Sequence, residues 1–102
     1  MEKLQQILGE EKPILLDFYT DWCSPCQTMD PILDGIQEHF GSLLHIQKIN
    51  ADKLPAIVQK YKVTSVPTYI LFVNGEIEWR VAGVQTRTEM IKVIQQFVAS
   101  PQ

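Results

Sequence analysis

The only two cysteines of the chain, Cys23 and Cys26, stand two residues apart, shortly after an apolar run. Thiols this close can open and close a disulfide with little rearrangement, which is what exchange between dithiols and disulfides requires. A purely structural bond would add little here, because closing so short a loop stabilises a fold by only about 2 kcal/mol on the chain-entropy estimate. The spacing therefore favours redox chemistry over a permanent cross-link.

The composition is typical of a globular chain that builds its own core. The 102 residues are 45% hydrophobic and 21% charged, which suits one domain over residues 1–102. The net charge of -3 argues against a nucleic-acid partner. No stretch resembles a signal peptide or a membrane span, so we expect a cytoplasmic protein with no membrane partner. In a reducing compartment a Cys-x-x-Cys pair is more often catalytic or metal-binding than a lasting cross-link.

A strand and a long helix must hold the cysteine pair between them. Ile14 to Tyr19 is a short, nearly continuous apolar run, the pattern of a strand buried on both faces. From Ser24 to Phe40 apolar residues recur at helical spacing, and Gly41 can end that helix. Pro31 lies inside the helix and should kink it, because proline lacks the backbone N–H. The cysteines are therefore expected at a strand-to-helix turn.

The remaining pattern predicts the rest of an α/β domain. Asn74-Gly75 is a strong hairpin signal because both residues tolerate positive φ. The other predicted elements are a first helix around Leu4 to Gly9, strands over Leu43–Ile49, Thr68–Val73 and Glu76–Ala82, a short helix over Pro55–Tyr61, and a last helix that opens with the capping box Thr86-Arg87-Thr88-Glu89 and buries Met90, Ile91, Ile94, Phe97 and Val98. The first two strands flank a long helix and should be parallel. We expect a mixed four-stranded sheet with helices on both faces.

Over nearly its whole length the chain resembles the thioredoxin family. The matching segments are Asp17-Phe18-Tyr19, Trp22-Cys23-Ser24-Pro25-Cys26, Pro31-Ile32-Leu33, Lys48-Ile49-Asn50-Ala51-Asp52, Val66-Pro67-Thr68, Phe72, Asn74-Gly75-Glu76 and Gly83. The resemblance implies the thioredoxin fold, here lacking the usual N-terminal strand, and a thiol–disulfide oxidoreductase that reduces protein disulfides. It implies no bound cofactor beyond the redox-active Cys23–Cys26 disulfide. An NADPH-dependent thioredoxin reductase would supply the electrons.

In this resemblance Cys23 is the nucleophile, with its sulfur accessible to a client, and Cys26 is the resolving thiol. Cys23 would lie at the N-terminus of the long helix, where free N–H groups and the macrodipole favour a thiolate. Asp17 interrupts a buried strand, so its pKa should rise, which suits a group that exchanges a proton with Cys26. Lys48 would face Asp17 and tune it. The alternatives are a solvent-facing carboxylate for Asp17 and an ordinary edge-strand lysine for Lys48.

The resemblance also implies a groove for an extended client segment. A cis bond at Pro67 would leave the backbone of Val66 free to pair with a client strand. Trp22 would form an aromatic wall, a role compatible with simple half-exposed packing, and Gly83 would add a surface without a side chain. The residues expected to bind the client are Trp22, Ser24, Pro25, Val66, Pro67 and Gly83.

Two residues beside the cysteines depart from the family pattern. Ser24 replaces the usual glycine and Gln27 the usual lysine, while Asp21 adds a negative charge. Losing a cation and gaining an anion near Cys23 should raise the pKa of its thiol above the family norm. We therefore predict a weaker nucleophile near neutral pH.

Without a strand before the first helix, the segment Leu43–Ile49 is expected to form an edge of the sheet. Edge strands expose unpaired backbone groups that can pair with another chain. We expect a monomer or a weak dimer through this edge, with His45 and Lys48 opposing the association.

Other functions fit part of the pattern. The spacing Cys23-x2-Cys26-x12-His39-x5-His45 matches a zinc finger, but Gly41 breaks the helix between the two histidines, so we expect no metal. A binding module with the same fold and little redox turnover is the stronger alternative, because Ser24 and Gln27 depart from the usual redox motif. An oxidase or isomerase would need an oxidising compartment and an export signal. We therefore expect a reductase.

Overall fold

Strands and helices alternate along the chain in the computed structural model, which describes residues 2–98. The strands are β1 (Ile14–Tyr19), β2 (His45–Asn50), β3 (Thr68–Val73) and β4 (Glu76–Ala82). The helices are α1 (Glu2–Leu8), α2 (Ser24–Phe40), α3 (Pro55–Lys60) and α4 (Arg87–Gln95), with a 3₁₀ turn at Gly41–Leu43. No helix within residues 2–98 is both long and apolar enough to cross a bilayer.

The four strands form one mixed sheet in the order β2-β1-β3-β4. β1 pairs with β2 in parallel and with β3 antiparallel, and β4 completes an antiparallel hairpin with β3. The predicted mixed four-stranded sheet is confirmed. Within the described part of the chain, β2 and β4 are its two edges, as expected for the second strand.

A separate hydrophobic cluster covers each face of the sheet. Residues of β1 alternate between the two, with Leu15 on the face that packs against α2 and α4, and Leu16 on the face that packs against α1 and α3. Both leucines are fully buried. Asp17 has the same parity as Leu15, so it points toward α2, the helix that carries the cysteines.

The turns and caps follow local chemistry. Asn74 and Gly75 connect β3 to β4 with φ values of 52° and 81°, the left-handed conformation that the pair was expected to adopt. Thr86 caps α4, since its hydroxyl accepts the N–H of Glu89 at 3.1 Å. Both predicted signals are confirmed.

Some predicted element ends were wrong. The second strand begins at His45 rather than Leu43, because the chain first makes the 3₁₀ turn Gly41–Leu43 after α2. The last helix ends at Gln95, so Phe97 and Val98 follow it, although both still pack on the core. The bounds of α2 match the prediction, and the helix continues through Pro31.

Candidate functional site

Cys23 and Cys26 form a disulfide at the N-terminus of α2, with their Cα atoms 5.3 Å apart. Cys23 is the N-cap residue in an extended conformation, and the backbone N–H of Cys26 donates to its Sγ at 3.2 Å. Ser24 and Pro25 fill the first two helical positions, where the missing N–H of proline costs nothing. The helix N-terminus is therefore directed at the sulfur of Cys23, where an anion is favoured.

The two cysteines are exposed to nearly the same small extent, 5% for Cys23 and 6% for Cys26. Cys23 is less open than the sequence suggested, because its sulfur is bonded to Cys26 and also accepts a backbone N–H. The two cysteines differ instead in their position on α2: Cys23 is the N-cap residue, and Cys26 lies in the first turn. Ser24 and Pro25, between them, are exposed.

A cleft of about 380 Å³ lies elsewhere, beside α1, but the one that reaches the disulfide is smaller, about 240 Å³. We call this smaller space the Cys26 cleft; its lining residues are Tyr19, Thr20, Asp21, Cys26, Gln27, Asp30 and Lys48. The cleft is lined mainly by polar and charged side chains.

Asp17 is a buried carboxyl group on the central strand β1, only 2% exposed. Its register neighbours are Lys48 on β2 and Tyr69 on β3, so all three side chains share the face covered by α2. Burial raises the pKa of Asp17 to about 6, an effect that the positive charge of Lys48 opposes and the negative charge of Asp30 reinforces. A carboxyl group with this pKa can accept and return a proton near neutral pH.

Lys48 faces Asp17 in register, but its ion pair within the described residues is with Asp30, at 3.1 Å. Both partners are about half exposed, and the ammonium also lies 5.6 Å from the centre of the Tyr19 ring. Burial lowers the pKa of Lys48, while the hydrogen bond to Asp30 and the charges of Asp30 and Asp17 outweigh it and raise the value. The lysine therefore stays charged at the mouth of the Cys26 cleft.

The peptide bond between Val66 and Pro67 is cis, and it lies just before β3. The N–H of Gly83 donates to the carbonyl of Pro67 at 2.9 Å. Because β1 and β3 are antiparallel, the end of β1 that leads to the cysteines and the start of β3 lie at the same end of the sheet. Gly83 has a φ of 90°, and a Cβ there would meet no atom within 4 Å, so its outer surface is open.

Trp22 is the most exposed large hydrophobic residue described, at 74%. Its indole N–H donates to the carboxylate of Asp52 at 2.9 Å, which fixes the ring although it is exposed. Trp22 and Val66 line one cleft of about 340 Å³, together with residues of the loops at 51–52 and 63–65. The structure thus brings the predicted aromatic wall and the backbone before Pro67 onto one surface.

Arg80 holds the chain segment that leads into this surface. From β4 its guanidinium donates to the carbonyl oxygens of Tyr61 and Lys62, at the end of α3. Lys62 has a φ of 54°, an uncommon conformation for a residue with a side chain. Arg80 therefore bridges α3 to the sheet just before the segment 63–66.

Three residues of the site, Asp30, Asp52 and Tyr69, were not predicted from the sequence as members of it. Asp30 was visible as an acidic residue four positions after Cys26, hence one helical turn further on the same face. Asp52 accepts the indole N–H of Trp22, which lies 30 residues earlier in the chain, and no local sequence pattern connects the two residues. Tyr69 is fully buried, its hydroxyl has no hydrogen-bond partner among residues 2–98, and burial raises the pKa of that phenol well above its usual value.

The histidines of the zinc-finger spacing lie apart from the cysteines. His39, near the end of α2, packs edge-on against Phe40 with ring centres 4.7 Å apart. The ring of His45 lies 3.2 Å from the amide oxygen of Gln47 on β2. Among residues 2–98, no three His, Cys, Asp or Glu side chains are grouped closely enough to hold a metal ion.

Known proteins are similar in sequence to this chain over most of its length. The family model described as Thioredoxin matches residues 2–96. A thioredoxin-like protein of Synechocystis is 42% identical over 92% of this chain and 90% of its own length. A thioredoxin of Rickettsia bellii is 36% identical over 88% and 86%. Chloroplastic thioredoxin Y1 of Arabidopsis thaliana is 39% identical over 87% of this chain, which spans 52% of that longer protein.

Solved structures share the fold. A mutant thioredoxin from Halobacterium salinarum superposes with a TM-score of 0.89 at 29% identity, over 100% of this chain and 88% of that one. Oxidised mitochondrial thioredoxin 3 of Saccharomyces cerevisiae gives 0.85 at 25% identity, over 93% and 88%. These matches confirm the predicted thioredoxin fold, and they agree with a Cys-x-x-Cys disulfide at the start of a long helix. The chain belongs to the thioredoxin family and is a thiol–disulfide oxidoreductase.

Proposed function

We propose that this oxidoreductase works as a reductant of client proteins, with Cys23 as the nucleophile and Cys26 as the resolving thiol. The observation that carries the proposal is the position of Cys23 at the cap of α2, where its sulfur accepts the N–H of Cys26. In the reduced protein the same N–H and the helix N-terminus stabilise a thiolate at Cys23 more than one at Cys26.

The reaction proceeds in two exchanges. The Cys23 thiolate attacks one sulfur of a client disulfide, forming a mixed disulfide and releasing the other client sulfur as a thiolate. Cys26 then gives up its proton, and its sulfur attacks the Cys23 sulfur of the mixed disulfide. The bond between Cys23 and the client breaks, and the second client sulfur leaves as a thiolate. The client gains two electrons and, with protons from water, two thiols, while Cys23 and Cys26 end as a disulfide.

Asp17 is proposed as the group that accepts the Cys26 proton. Its pKa of about 6 leaves most of it ionised at neutral pH and still basic enough to take a proton. It points to the face of the sheet that α2 covers, and Cys26 lies in the first turn of that helix. Lys48 is proposed to tune Asp17 from β2.

The client is proposed to bind as an extended segment along Val66, Pro67 and Gly83, beside Trp22. The open surface of Gly83 admits a backbone, and Trp22 offers a large apolar area already held in place. Ser24 and Pro25, exposed between the cysteines, complete the contact surface. Pairing through the main chain suits clients of varied sequence.

The reducing direction needs a reducing compartment and an electron donor. We propose the cytoplasm, where a disulfide-reducing protein is kept reduced by its donor. An NADPH-dependent thioredoxin reductase is the proposed donor, and protein disulfides are the proposed acceptors. Measuring the reduction potential of the Cys23/Cys26 couple tests the direction, because a reductant must lie below the potential of its clients.

Substitution of each cysteine separates the proposed roles. Cys23→Ser should abolish reduction of a model protein disulfide, whereas Cys26→Ser should form the mixed disulfide and stop there, giving a covalent complex that dithiothreitol releases. Ser42→Ala, in the 3₁₀ turn after α2, is a matched small substitution away from the site and should reduce the client at the normal rate. A Cys23→Ser protein that still reduces the client would overturn the assignment. A native protein that binds clients without reducing them would instead indicate a binding module.

A further inference from the structure

Two charged residues of the Cys26 cleft, Asp21 and Asp30, have no part in the exchange just described, and Asp30 is the one that is paired with Lys48. Asp30 lies on α2 one turn beyond Cys26 and lines the same cleft. Its Oδ1 is 3.1 Å from the ammonium of Lys48, and both side chains are 51% exposed. A pair this exposed contributes little to stability, about 1 kcal/mol at most. The pair nevertheless affects the pKa of Asp17, the buried carboxyl group beside it.

We propose that Asp30 is a positioning residue for the proton step: by holding the Lys48 ammonium at the mouth of the Cys26 cleft, it keeps that cation away from Asp17 and so sets the pH range in which Asp17 titrates. The kinetic part of this inference rests on the proposed function of Asp17. The effect on the titration of Asp17 does not.

The sheet register makes the competition between the two carboxyl groups direct. Lys48 is the residue opposite Asp17 on the neighbouring strand, and both side chains point to the face under α2. Neighbours in this position are close enough for a long side chain to reach across. Without Asp30, the flexible lysine stem would be free to turn its ammonium toward Asp17.

The groups that face Asp17 come from every element packed against it. From α2 they are Cys26 and Asp30, from β2 Lys48, and from β3 Tyr69, with Tyr19 further along β1 itself. In the oxidised protein Cys26 does not titrate, and Tyr69 has a raised pKa and stays neutral. The ion pair of Asp30 and Lys48 is therefore the charge arrangement that acts on Asp17, with Lys48 lowering and Asp30 raising its pKa.

Titration of Asp17 in the oxidised protein tests this placement directly. The carboxyl carbon of Asp17 is followed by NMR between about pH 4 and 8, a range that brackets an aspartate of raised pKa. Asp30→Asn should lower the Asp17 midpoint by about one pH unit, because the repulsion disappears and Lys48 moves closer. Lys48→Met should raise it. If Asp30 acts by holding Lys48, then Asp30→Asn should shift the midpoint by less than about half as much in the Lys48→Met background as it does alone.

Two further variants exclude a general charge or folding effect. Asp34→Asn removes the same charge one turn further along α2, from an exposed position outside the cleft, and should leave the Asp17 midpoint unchanged. Asp30→Glu keeps the carboxylate on a longer stem and should restore most of the wild-type midpoint. An unchanged midpoint in Asp30→Asn overturns the proposal. So does an equal shift with and without Lys48, because Asp30 would then act by direct repulsion alone.

The kinetic readout is the resolving step, measured in a single turnover as release of the second client thiol, the one held in the mixed disulfide with Cys23. Its rate should fall on the acid side with the titration of Asp17, and Asp30→Asn should move that fall to lower pH by the same interval as the NMR midpoint. If the midpoint moves but the rate profile does not, Asp17 is not the proton acceptor and the proposed function fails at that residue. The placement of Lys48 by Asp30 would still stand.

Discussion

A buried carboxyl group on a central strand lowers the stability of the fold by an amount that depends on pH. Asp17 is 2% exposed, and its pKa is raised by burial from 3.8 to about 6. The folded state thus holds the proton more tightly than the unfolded state. The associated stability is fully present below the unfolded value near 4 and is lost as the pH rises through about 6.

Asp17→Asn should therefore stabilise the oxidised protein at pH 8 by about 3 kcal/mol, since two pKa units correspond to that free energy. The gain should shrink as the pH falls through 6 and be nearly absent at pH 4, where the native carboxyl is neutral. Guanidinium unfolding of both proteins across this range measures the difference. Asp34→Asn, which removes an exposed charge, is the control. A gain of the same size at every pH would contradict the explanation.

The residue that follows Cys26 should affect the pKa of the Cys23 thiol. Gln27 is exposed on the first turn of α2, where the family usually carries lysine. Gln27→Lys should lower the Cys23 pKa by about one unit, because a cation near a thiolate stabilises it. Thiolate absorbance against pH in the reduced protein measures the shift. Gln95→Lys, the same change at the far end of α4, should have no effect. A native Cys23 more acidic than that of typical thioredoxins would refute the predicted weak nucleophile.

Among individual residues, the cysteine pair could be identified from the sequence, but not all of the charged groups around it. Two thiols two residues apart are a local pattern, and so is an aspartate inside an apolar strand. Lys48 was expected to face Asp17 and tune it, and it does lie opposite Asp17 in register, whereas its ion pair with Asp30 was not predicted. A lysine on an edge strand can reach several carboxylates. Lys48 pairs with Asp30, which is as exposed to solvent as the lysine itself, and not with the buried Asp17.

The stability of helix α4 should depend on its N-cap residue, Thr86. The hydroxyl of Thr86 accepts the N–H of Glu89, one of the donors that the helix itself cannot satisfy. Thr86→Ala should lower the free energy of unfolding by about 1 kcal/mol, whereas Thr86→Ser, which keeps the hydroxyl, should stay close to wild type. Denaturant unfolding compares the three proteins. Equal loss in both variants would show that the methyl group matters rather than the cap.

The ends of the elements show which boundaries local chemistry determines. Gly41 ends α2 with a φ of 56°, as its position in the sequence indicated, and the hairpin turn at Asn74-Gly75 is equally local. The start of β2 was misplaced by two residues because Leu43 joins a 3₁₀ turn after the helix. Apolar residues suit either conformation, so their pattern alone does not separate a turn that packs from a strand that pairs.

At the scale of the whole molecule, the sheet has two edges of different character within the described residues. β2 runs beside the central β1, while β4 closes the hairpin with β3. The weak dimer through β2 remains a prediction. Sedimentation at increasing concentration should reveal a small dimer fraction, and hydrogen exchange should show amides of β2 becoming slower while those of β4 do not. Monomer alone at high concentration would remove the idea.

The fold as a whole was predictable because its signals agree with one another. The buried run of β1, the long α2 and the hairpin each allow few arrangements, and together they allow a mixed sheet with a right-handed crossover. The client surface was harder, since it joins Trp22 with Val66 from distant parts of the chain. Only the resemblance to a family placed the two together before the structure did.

The bridge made by Arg80 has a consequence for how broadly the protein selects its clients. Arg80 secures one end of the segment 63–66 through its hydrogen bonds to the carbonyls of Tyr61 and Lys62. The hydrogen bond from Gly83 to Pro67 secures the other end. A backbone immobilised at both ends surrenders little entropy when an incoming strand pairs with it. If clients pair with this segment as proposed, their affinity should depend on its rigidity more than on side-chain complementarity. Arg80 would then favour binding of clients of varied sequence, although it is not among the described residues that line the cleft of Trp22 and Val66.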